Sequence, residues 1–172
     1  MSNRTFTIRR ALLIPFGSIA GLIVVLLFIA LVGRGSAAEQ IVLAAITLLT
    51  VALFLEARSR RITMTDQGII FRKFLRKKDI PWSDISHVGR VIIRSKVYLL
   101  LTTTRGFFIV SNAYGDFADL TQKIVQHIGP DKVDEDIRNQ GEEPLKNRAD
   151  IISLWIAVAV IFVVIVLKLL SV

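Results

Sequence analysis

The chain has 172 residues, of which 53% are hydrophobic and 21% are charged, and Lys and Arg outnumber Asp and Glu by 22 to 14. A high apolar fraction in a chain with this many cations indicates long apolar blocks separated from charged ones. The absence of Cys excludes disulfides, thiolate catalysis and Cys-based metal sites. The length admits one modest domain and a few membrane spans, and it excludes a large multidomain enzyme.

Three apolar blocks predict membrane-spanning helices. The first, 11–33, contains 22 uncharged residues from 11 to 32, enough for about 33 Å of helix across a hydrocarbon core of about 30 Å. The second, 38–57, has an apolar run of only 15 residues, 41–55, and needs Glu39, Gln40 and Glu56 at the interfaces, or a thinner bilayer. The third, 151–170, has 17 uncharged residues before Lys168, which can snorkel to the headgroups.

The distribution of Arg and Lys predicts the orientation. Cations lie before the first span, after the second and before the third, whereas the connection between the first two spans holds only Arg34. Because Lys and Arg near span ends favour the cytoplasmic side, we expect the N-terminus 1–10 and the interval 58–150 to be cytoplasmic, and the C-terminus to be outside.

A signal peptide is the competing interpretation of the N-terminal region. Ser36-Ala37-Ala38 looks like a small-residue cleavage site, and Arg9-Arg10 loosely imitates a twin-arginine export signal. The apolar run of 22 residues exceeds the roughly 7–15 residues of a signal-peptide core, which favours an uncut anchor.

The interval between the second and third spans predicts strands followed by one helix. Ile62 and Met64 alternate with Thr residues, and further short apolar stretches separated by turn residues continue to position 112. From Asp116, expected to cap the helix with Asp119 in its first turn, apolar residues recur at spacings of three or four until Gly129-Pro130 ends the helix. The polar segment 130–150 is expected to be a tether.

Two stretches within 60–129 resemble the bacterial pleckstrin-homology (PH-like) domains of small membrane proteins. These are Thr-Asp-Gln-Gly-Ile at 65–69 and Ile-Pro-Trp-Ser-Asp-Ile at 80–85, followed by a hairpin over 99–108 and a closing helix. The resemblance implies an α+β protein of the bacterial inner (cytoplasmic) membrane, with an antiparallel β-barrel or sandwich capped by a C-terminal helix. It also implies a core motif of Trp82, Asp84 and Ile85, and a binding or scaffolding role without an established lipid ligand.

The interval also has an uneven charge distribution. Its part from 58 to 105 carries a net charge of +9, and its part from 116 to 150 carries −4. The candidate contacts for anionic lipid or an acidic partner are Arg72, Lys73, Arg76, Lys77, Lys78, Arg90 and Arg94. Three interpretations stay open: orientation and solubility alone, attraction to anionic lipid, and docking of an acidic protein. Nucleic acid is not expected, since aromatic residues are not interleaved with the cations.

Gly17 and Gly21 form a Gly-x-x-x-Gly pair that predicts close helix packing, against the second span or a second copy of the chain. His87 and His127 lie in different elements without a third ligand at metal-site spacing, so no metal and no cofactor are expected. No ionisable residue lies deep in a span, which argues against a self-sufficient transporter.

These patterns together predict a non-enzymatic integral membrane protein. Its cytoplasmic PH-like domain would act as a scaffold, an anchor or an interaction module for membrane lipids, a membrane-protein partner or a second copy. The alternative is an accessory subunit of a larger membrane transport or energy-converting complex.

Overall fold

The computed structural model describes residues 4–33, 35–93, 96–104, 106–139 and 149–170. They form two compact units. A β-rich unit is built from the described residues within 1–9 and 59–147, and a helical unit from those within 10–58 and 148–172. Helices and antiparallel sheets together confirm the α+β class.

The β-rich unit contains two antiparallel sheets. The first has four strands in sequence order: β1 (Arg4–Thr7), β2 (Arg61–Met64), β3 (Gly68–Lys73) and β4 (Arg76–Pro81). The second has three: β5 (Ile85–Ile93), β6 (Lys96–Thr103) and β7 (Gly106–Ser111). A 3₁₀ turn over Trp82–Asp84 joins them. Among the described strands neither sheet closes on itself, so the barrel form of the expectation is not observed.

The N-terminal segment, expected to be only a cytoplasmic extension, contributes the edge strand β1. Phe6 lies opposite Ile62 in the register and is only 5% exposed. The partner strand of β1 follows the first two apolar blocks in the sequence, so no local hairpin signal marks residues 4–7 as a strand. The long helical insertion therefore lies between the first and second strands of one sheet.

The strands bury one face each, as their alternation predicts. In β6, Val97, Leu99 and Leu101 are buried, whereas the residues between them are partly exposed. At the turn before β3, a Cβ on Gly68 would lie 2.1 Å from the carbonyl oxygen of Ile80. Only Gly permits this close approach of β3 and β4.

The predicted amphipathic helix is α3 (Phe117–Ile128), and it ends at Gly129, whose φ of 87° is the expected stop. Leu120 and Ile124 are fully buried against the sheets. The predicted capping pattern is wrong, because Asp116 adopts a left-handed conformation and its side chain makes no capping hydrogen bond. Asp119 instead accepts a hydrogen bond from Arg4 of β1.

The segment expected to be a tether begins inside the packed unit. Val133 is buried and bridges Val88 of β5, and the Asp134 amide donates to the Val88 carbonyl at 3.1 Å. A short helix, α4 (Glu135–Asn139), follows. The expected tether therefore starts later than residue 130, and its stretch 140–148 lies outside the described residues.

The helical unit consists of α1 (Arg10–Val32), α2 (Ala37–Ser59) and α5 (Ala149–Leu170). Each has 22 or 23 residues, or about 33–35 Å of helix, and each is long and apolar enough to cross a membrane. The Glu39 amide donates to the Ser36 hydroxyl at 3.2 Å. Ser36-Ala37-Ala38, considered above as a cleavage site, is thus the N-cap and first turn of α2.

Candidate functional site

The hairpin of β3 and β4 brings five of the seven predicted basic residues together. In its register Arg72 lies opposite Lys77, Lys73 lies opposite Arg76, and Lys78 lies opposite Phe71. We call residues 72–78 the basic hairpin. Opposed residues of an antiparallel pair project from the same face, so Arg72 and Lys77 occupy one face and Lys73, Arg76 and Lys78 occupy the other. Cations therefore flank the hairpin on both sides.

Two of these positions make specific contacts. The Lys77 ammonium lies 3.0 Å from a carboxylate oxygen of Asp79, two residues along the same exposed strand. The Lys78 ammonium lies 4.4 Å from the centre of the Phe108 ring, which stacks on Phe71 with a centroid distance of 5.5 Å. The cation–π contact holds Lys78 against the Phe108 ring, and all five cations of the basic hairpin are exposed.

The turn of the basic hairpin carries two apolar side chains. Phe74 is 57% exposed and Leu75 is 88% exposed. Turns of this kind ordinarily favour Gly, Asn, Asp, Ser or Pro, so an aromatic and an aliphatic residue here are unusual. The sequence marks this turn by the pattern Arg-Lys-Phe-Leu-Arg-Lys at 72–77, in which an Arg-Lys pair precedes and follows the two apolar residues.

The basic hairpin lies at the end of its sheet where the chain connects to the helical segments. In the four-stranded register Thr7, Arg61, Arg72 and Lys77 form one cross-strand row. Thr7 is the last residue of β1 before α1, and Arg61 is the first residue of β2 after α2. We call this the connection end of the sheet, and the turn at Phe74 and Leu75 projects past it.

The hairpin of β5 and β6 lies near the same chain connection. The Asn112 amide donates to the Val97 carbonyl, and the Arg9 amide donates to the Ala113 carbonyl, each at 2.9 Å. These bonds place the start of β6 close to the end of the N-terminal segment. Ile92 and Ile93, the last residues of β5, are about half exposed there.

The two remaining predicted basic residues do not join the basic hairpin. Arg90 lies opposite the buried Leu99, on the core-facing side of the three-stranded sheet, and it is partly buried. It was predicted as a contact for anionic lipid or an acidic partner, and its register instead places it on the core-facing side. Arg94 lies outside the described residues.

The predicted core motif has a structural role. Ile85 is fully buried, and the Trp82 indole nitrogen donates to the Thr65 carbonyl at 3.1 Å, which ties the turn before β3 to the link between the sheets. The indole ring stacks on the His127 ring of α3 at 4.5 Å. The Thr104 amide donates to the carbonyl of Asp84 at 3.2 Å. The motif therefore joins both sheets and the helix.

The two glycines of α1 meet different surroundings. A Cβ on Gly17 would lie 3.1 Å from the Phe54 ring of α2, whereas a Cβ on Gly21 would meet nothing within 4 Å. Gly21 borders an open-sided recess of about 590 Å³ between α1 and α5, whose lining includes Ser18, Gly21, Leu22, Trp155, Val158 and Phe162. Gly17 thus packs on the second long helix, and Gly21 does not.

The helical unit also contains an ion pair at one end. Lys168, near the end of α5, contacts the carboxylate of Glu39 in the first turn of α2. Both groups are partly exposed. The pair places the last turn of α5 beside the first turn of α2.

The outer face of the three-stranded sheet is a second unusual surface. Phe107 and Ile109 of β7 are 69% and 64% exposed, and Ile109 lies opposite Leu100 of β6. Val91 of β5 lies opposite Tyr98 on the same face. Exposed apolar side chains grouped on one sheet face indicate an interaction surface.

The histidines have local structural partners. His87 lies 2.9 Å from a carboxylate oxygen of Asp134, and a ring nitrogen of His127 lies 2.8 Å from the Lys123 carbonyl. Within the described ranges, no three His, Asp or Glu side chains are grouped so that they could hold a metal ion.

Tyr114 is a buried phenol beside the N-terminal strand. Burial of the phenol beside the N-terminal strand raises its pKa above the ordinary 10.0, because the charged phenolate loses its hydration. The positive charge of Arg60 acts in the opposite direction and is the smaller effect. The neutral phenol is therefore the form that the fold favours.

Comparison of the chain with protein-family models, with curated proteins and with solved structures finds no match.

Proposed function

We propose that this chain is a non-enzymatic integral membrane protein with three spans, in which a cytoplasmic PH-like unit acts as an anchor or scaffold beside the bilayer. The spans are α1, α2 and α5. The N-terminus and the β-rich unit face the cytoplasm of a bacterial cell, and the end of α5 faces the outside of the inner membrane.

The pairing of β1 with β2 is the observation that supports this proposal most. Hydrogen-bonded neighbours lie on the same side of any membrane, so residues 4–7 and 61–64 share one side. The chain between them therefore crosses the bilayer an even number of times, with α1 and α2 both spanning or neither. Since α1 has the length and hydropathy of a span, this pairing supports α2 as a span despite its short uncharged run.

Contacts within the helical unit support a third crossing. Gly17, seven residues after the start of α1, meets Phe54, five residues before the end of α2, as expected for an antiparallel pair. Lys168 at the end of α5 contacts Glu39 at the start of α2, so these two ends belong at the same bilayer surface. In this proposal that surface is the one reached by the end of α1, so α5 begins on the opposite, cytoplasmic side of the bilayer.

The order of elements in the β-rich unit supports the PH-like assignment. Four strands in one antiparallel sheet, three in a second and a C-terminal helix packed on both follow one another in sequence. The departure is that α1 and α2 separate the first strand from the rest. In this proposal the helical hairpin is an insertion into the domain, which fixes the domain at the bilayer through two chain connections at one sheet end.

Labelling of single cysteines tests the orientation, and the native chain contains no Cys. We expect Gln67→Cys, in the exposed turn before β3, to resist a membrane-impermeant maleimide in intact spheroplasts and to react after permeabilisation. Ala37→Cys, at the exposed start of α2, is the matched control and should react in intact spheroplasts. Reaction of Gln67→Cys in intact spheroplasts would refute the proposed orientation.

The alternative function, an accessory subunit of a membrane transport or energy-converting complex, is favoured by the apolar outer face around Phe107 and Ile109. Purification in mild detergent followed by mass spectrometry separates the two proposals. A partner in fixed stoichiometry that is lost in Phe107→Ser supports the accessory subunit. Self-association, or a single chain surrounded by lipid, supports the anchor or scaffold.

A further inference from the structure

We infer that the turn of the basic hairpin inserts Phe74 and Leu75 into the interfacial region of an anionic bilayer, while the surrounding cations bind the lipid phosphates. This inference rests on the proposed membrane placement and adds to it a defined lipid-contact site. The chemistry of the site selects the ligand: an apolar pair needs a nonpolar environment, and a ring of Lys and Arg needs anionic oxygens.

The exposure of the apolar pair is the first step. Phe74 and Leu75 are adjacent at the turn and exposed, and neither belongs to the buried core. Nothing in β3 or β4 requires apolar residues at this turn, since the core contacts of these strands come from Ile69, Phe71 and Ile80. The boundary between the lipid headgroups and the acyl chains accommodates exposed apolar side chains of this kind.

The charge around the turn is the second step. Lys73 and Arg76 form the pair adjacent to the turn, and Arg72 and Lys77 form the next pair on the opposite face. The one acidic residue of the hairpin, Asp79, lies farther from the turn and contacts Lys77. Insertion of the turn would therefore bring cations on both faces to the depth of the headgroups, where anionic lipid attracts them.

The location of the turn is the third step. Arg72 and Lys77 share a cross-strand row with Thr7 and Arg61, which are three residues before Arg10 and two residues after Ser59. An extended chain covers at most about 3.6 Å per residue, so covalent geometry alone holds Thr7 and Arg61 within roughly 11 Å of the helix ends, and Arg72 lies one strand spacing, about 5 Å, beyond Arg61. That distance is comparable with a Debye length in physiological salt, about 8 Å.

An acidic protein is the competing occupant, and the observations favour lipid. An acidic protein surface would match the cations but would leave the apolar turn without a partner. The anionic bilayer satisfies both features, and the connection end of the sheet is already held near it by the chain.

Fluorescence of the full chain in lipid nanodiscs tests the inference. Leu75→Cys would be labelled with an environment-sensitive dye, and Gln67→Cys, in the exposed turn at the other end of β3, is the matched control. In discs containing phosphatidylglycerol, we expect a blue-shifted emission at position 75 and quenching by lipids that carry a spin label. The dye at position 67 should show neither, and discs of phosphatidylcholine alone should reduce both effects at 75.

Charge reversal distinguishes attraction of the cations to anionic lipid from partition of the dye itself into the bilayer. Arg72→Glu with Lys77→Glu should lower quenching at position 75 in anionic discs, whereas Lys123→Glu on α3 should leave it unchanged. An unaltered thermal transition shows that each variant is folded.

Several results would overturn the inference. Equal quenching at positions 67 and 75, no quenching at 75, or insensitivity to charge reversal would each do so. Protection of position 75 only after addition of a cell extract, blocked by polyglutamate, would identify an acidic protein as the occupant. The proposed orientation is unaffected by any of these results if Gln67→Cys is cytoplasmic in the spheroplast labelling. Failure of the lipid-contact inference is therefore distinguishable from failure of the proposed orientation.

Discussion

The two units of this protein place the same kinds of side chains in opposite environments. In the β-rich unit Ile62, Leu101 and Leu120 are fully buried. In the helical unit α2 has no buried residue at all, and its Leu48 is 75% exposed. A long apolar helix without a buried residue needs a nonpolar surrounding, which the proposed bilayer supplies.

The difference shows what stabilises each unit. The β-rich unit removes apolar surface from water by bringing distant strands together around one core. Apolar attraction between the helices of the second unit would be weak in lipid, where close packing and polar contacts take its place. Gly17 against Phe54 and Lys168 against Glu39 are contacts of that type.

The largest expected effect comes from removing β1 from the β-rich unit. A chain of residues 1–9 and 59–139, joined by a short Gly-rich loop in place of 10–58, should unfold cooperatively, because Phe6 then covers Ile62. The fragment 59–139 alone should lack a cooperative transition, since it loses an edge strand and a buried aromatic residue. Thermal unfolding followed by circular dichroism, and the chemical-shift dispersion of NMR spectra, compare the joined chain with the fragment.

A milder variant of the joined chain controls for the deletion. Phe6→Ala should lower the free energy of unfolding by about 3 kcal/mol, within the usual range for a buried aromatic residue. If the fragment 59–139 folds as stably as the joined chain, β1 is dispensable for the stability of the β-rich unit and this prediction is wrong.

Core and helix-surface leucines should respond differently to the same truncation. Leu120→Ala in α3 should destabilise the β-rich unit by about 2–5 kcal/mol, because it leaves a cavity among fully buried neighbours. Leu48→Ala in α2 should change stability by less than about 0.5 kcal/mol, since no packing is lost at an exposed position. Thermal unfolding of the full chain in detergent measures the effect of each substitution. Comparable losses of stability in Leu120→Ala and Leu48→Ala would contradict the difference in burial between the two units.

Alanine at the two glycines of α1 should separate helix propensity from packing. Gly21→Ala adds a methyl group in open space and should stabilise α1 by up to about 1 kcal/mol. Gly17→Ala should fail to give this gain, because the new Cβ lies 3.1 Å from the Phe54 ring. The measurement is thermal stability in detergent, and Phe54→Leu should restore the gain at position 17. Identical effects at both glycines would contradict the assigned contact.

The smallest expected effect is the alkaline dependence contributed by Tyr114. Because burial raises the pKa of this phenol in the folded state, the folded protein holds the proton more strongly than the unfolded chain. The associated stability is complete below pH 10 and is lost as the pH rises through the folded pKa. Tyr114→Phe in the joined chain should therefore lose less stability than the parent above pH 10, and denaturant titrations at several pH values measure the difference.

The strongly periodic elements could be predicted because their signal is local. The stripe of Leu120 and Ile124 predicts α3, Gly129 predicts its end, and the alternation in β6 predicts its buried face. Three long apolar helices follow from uncharged length alone. The sequence identifies seven basic residues as candidates for a site, and five of them share the basic hairpin. Which of the seven lie together depends on strand pairing, which the sequence pattern does not show. Arg90 turns toward the core side because its register opposes it to Leu99.

The sequence by itself determined that long apolar helices alternate with a charged, β-rich interval, because hydrophobic length and period are properties of neighbouring residues. Only the tertiary structure decided that β1 joins the sheet beyond the helical insertion, and that Phe74 and Leu75 share one sheet end with the chain connections. Those arrangements depend on hydrogen bonding and burial between segments far apart in the chain. No local pattern encodes them.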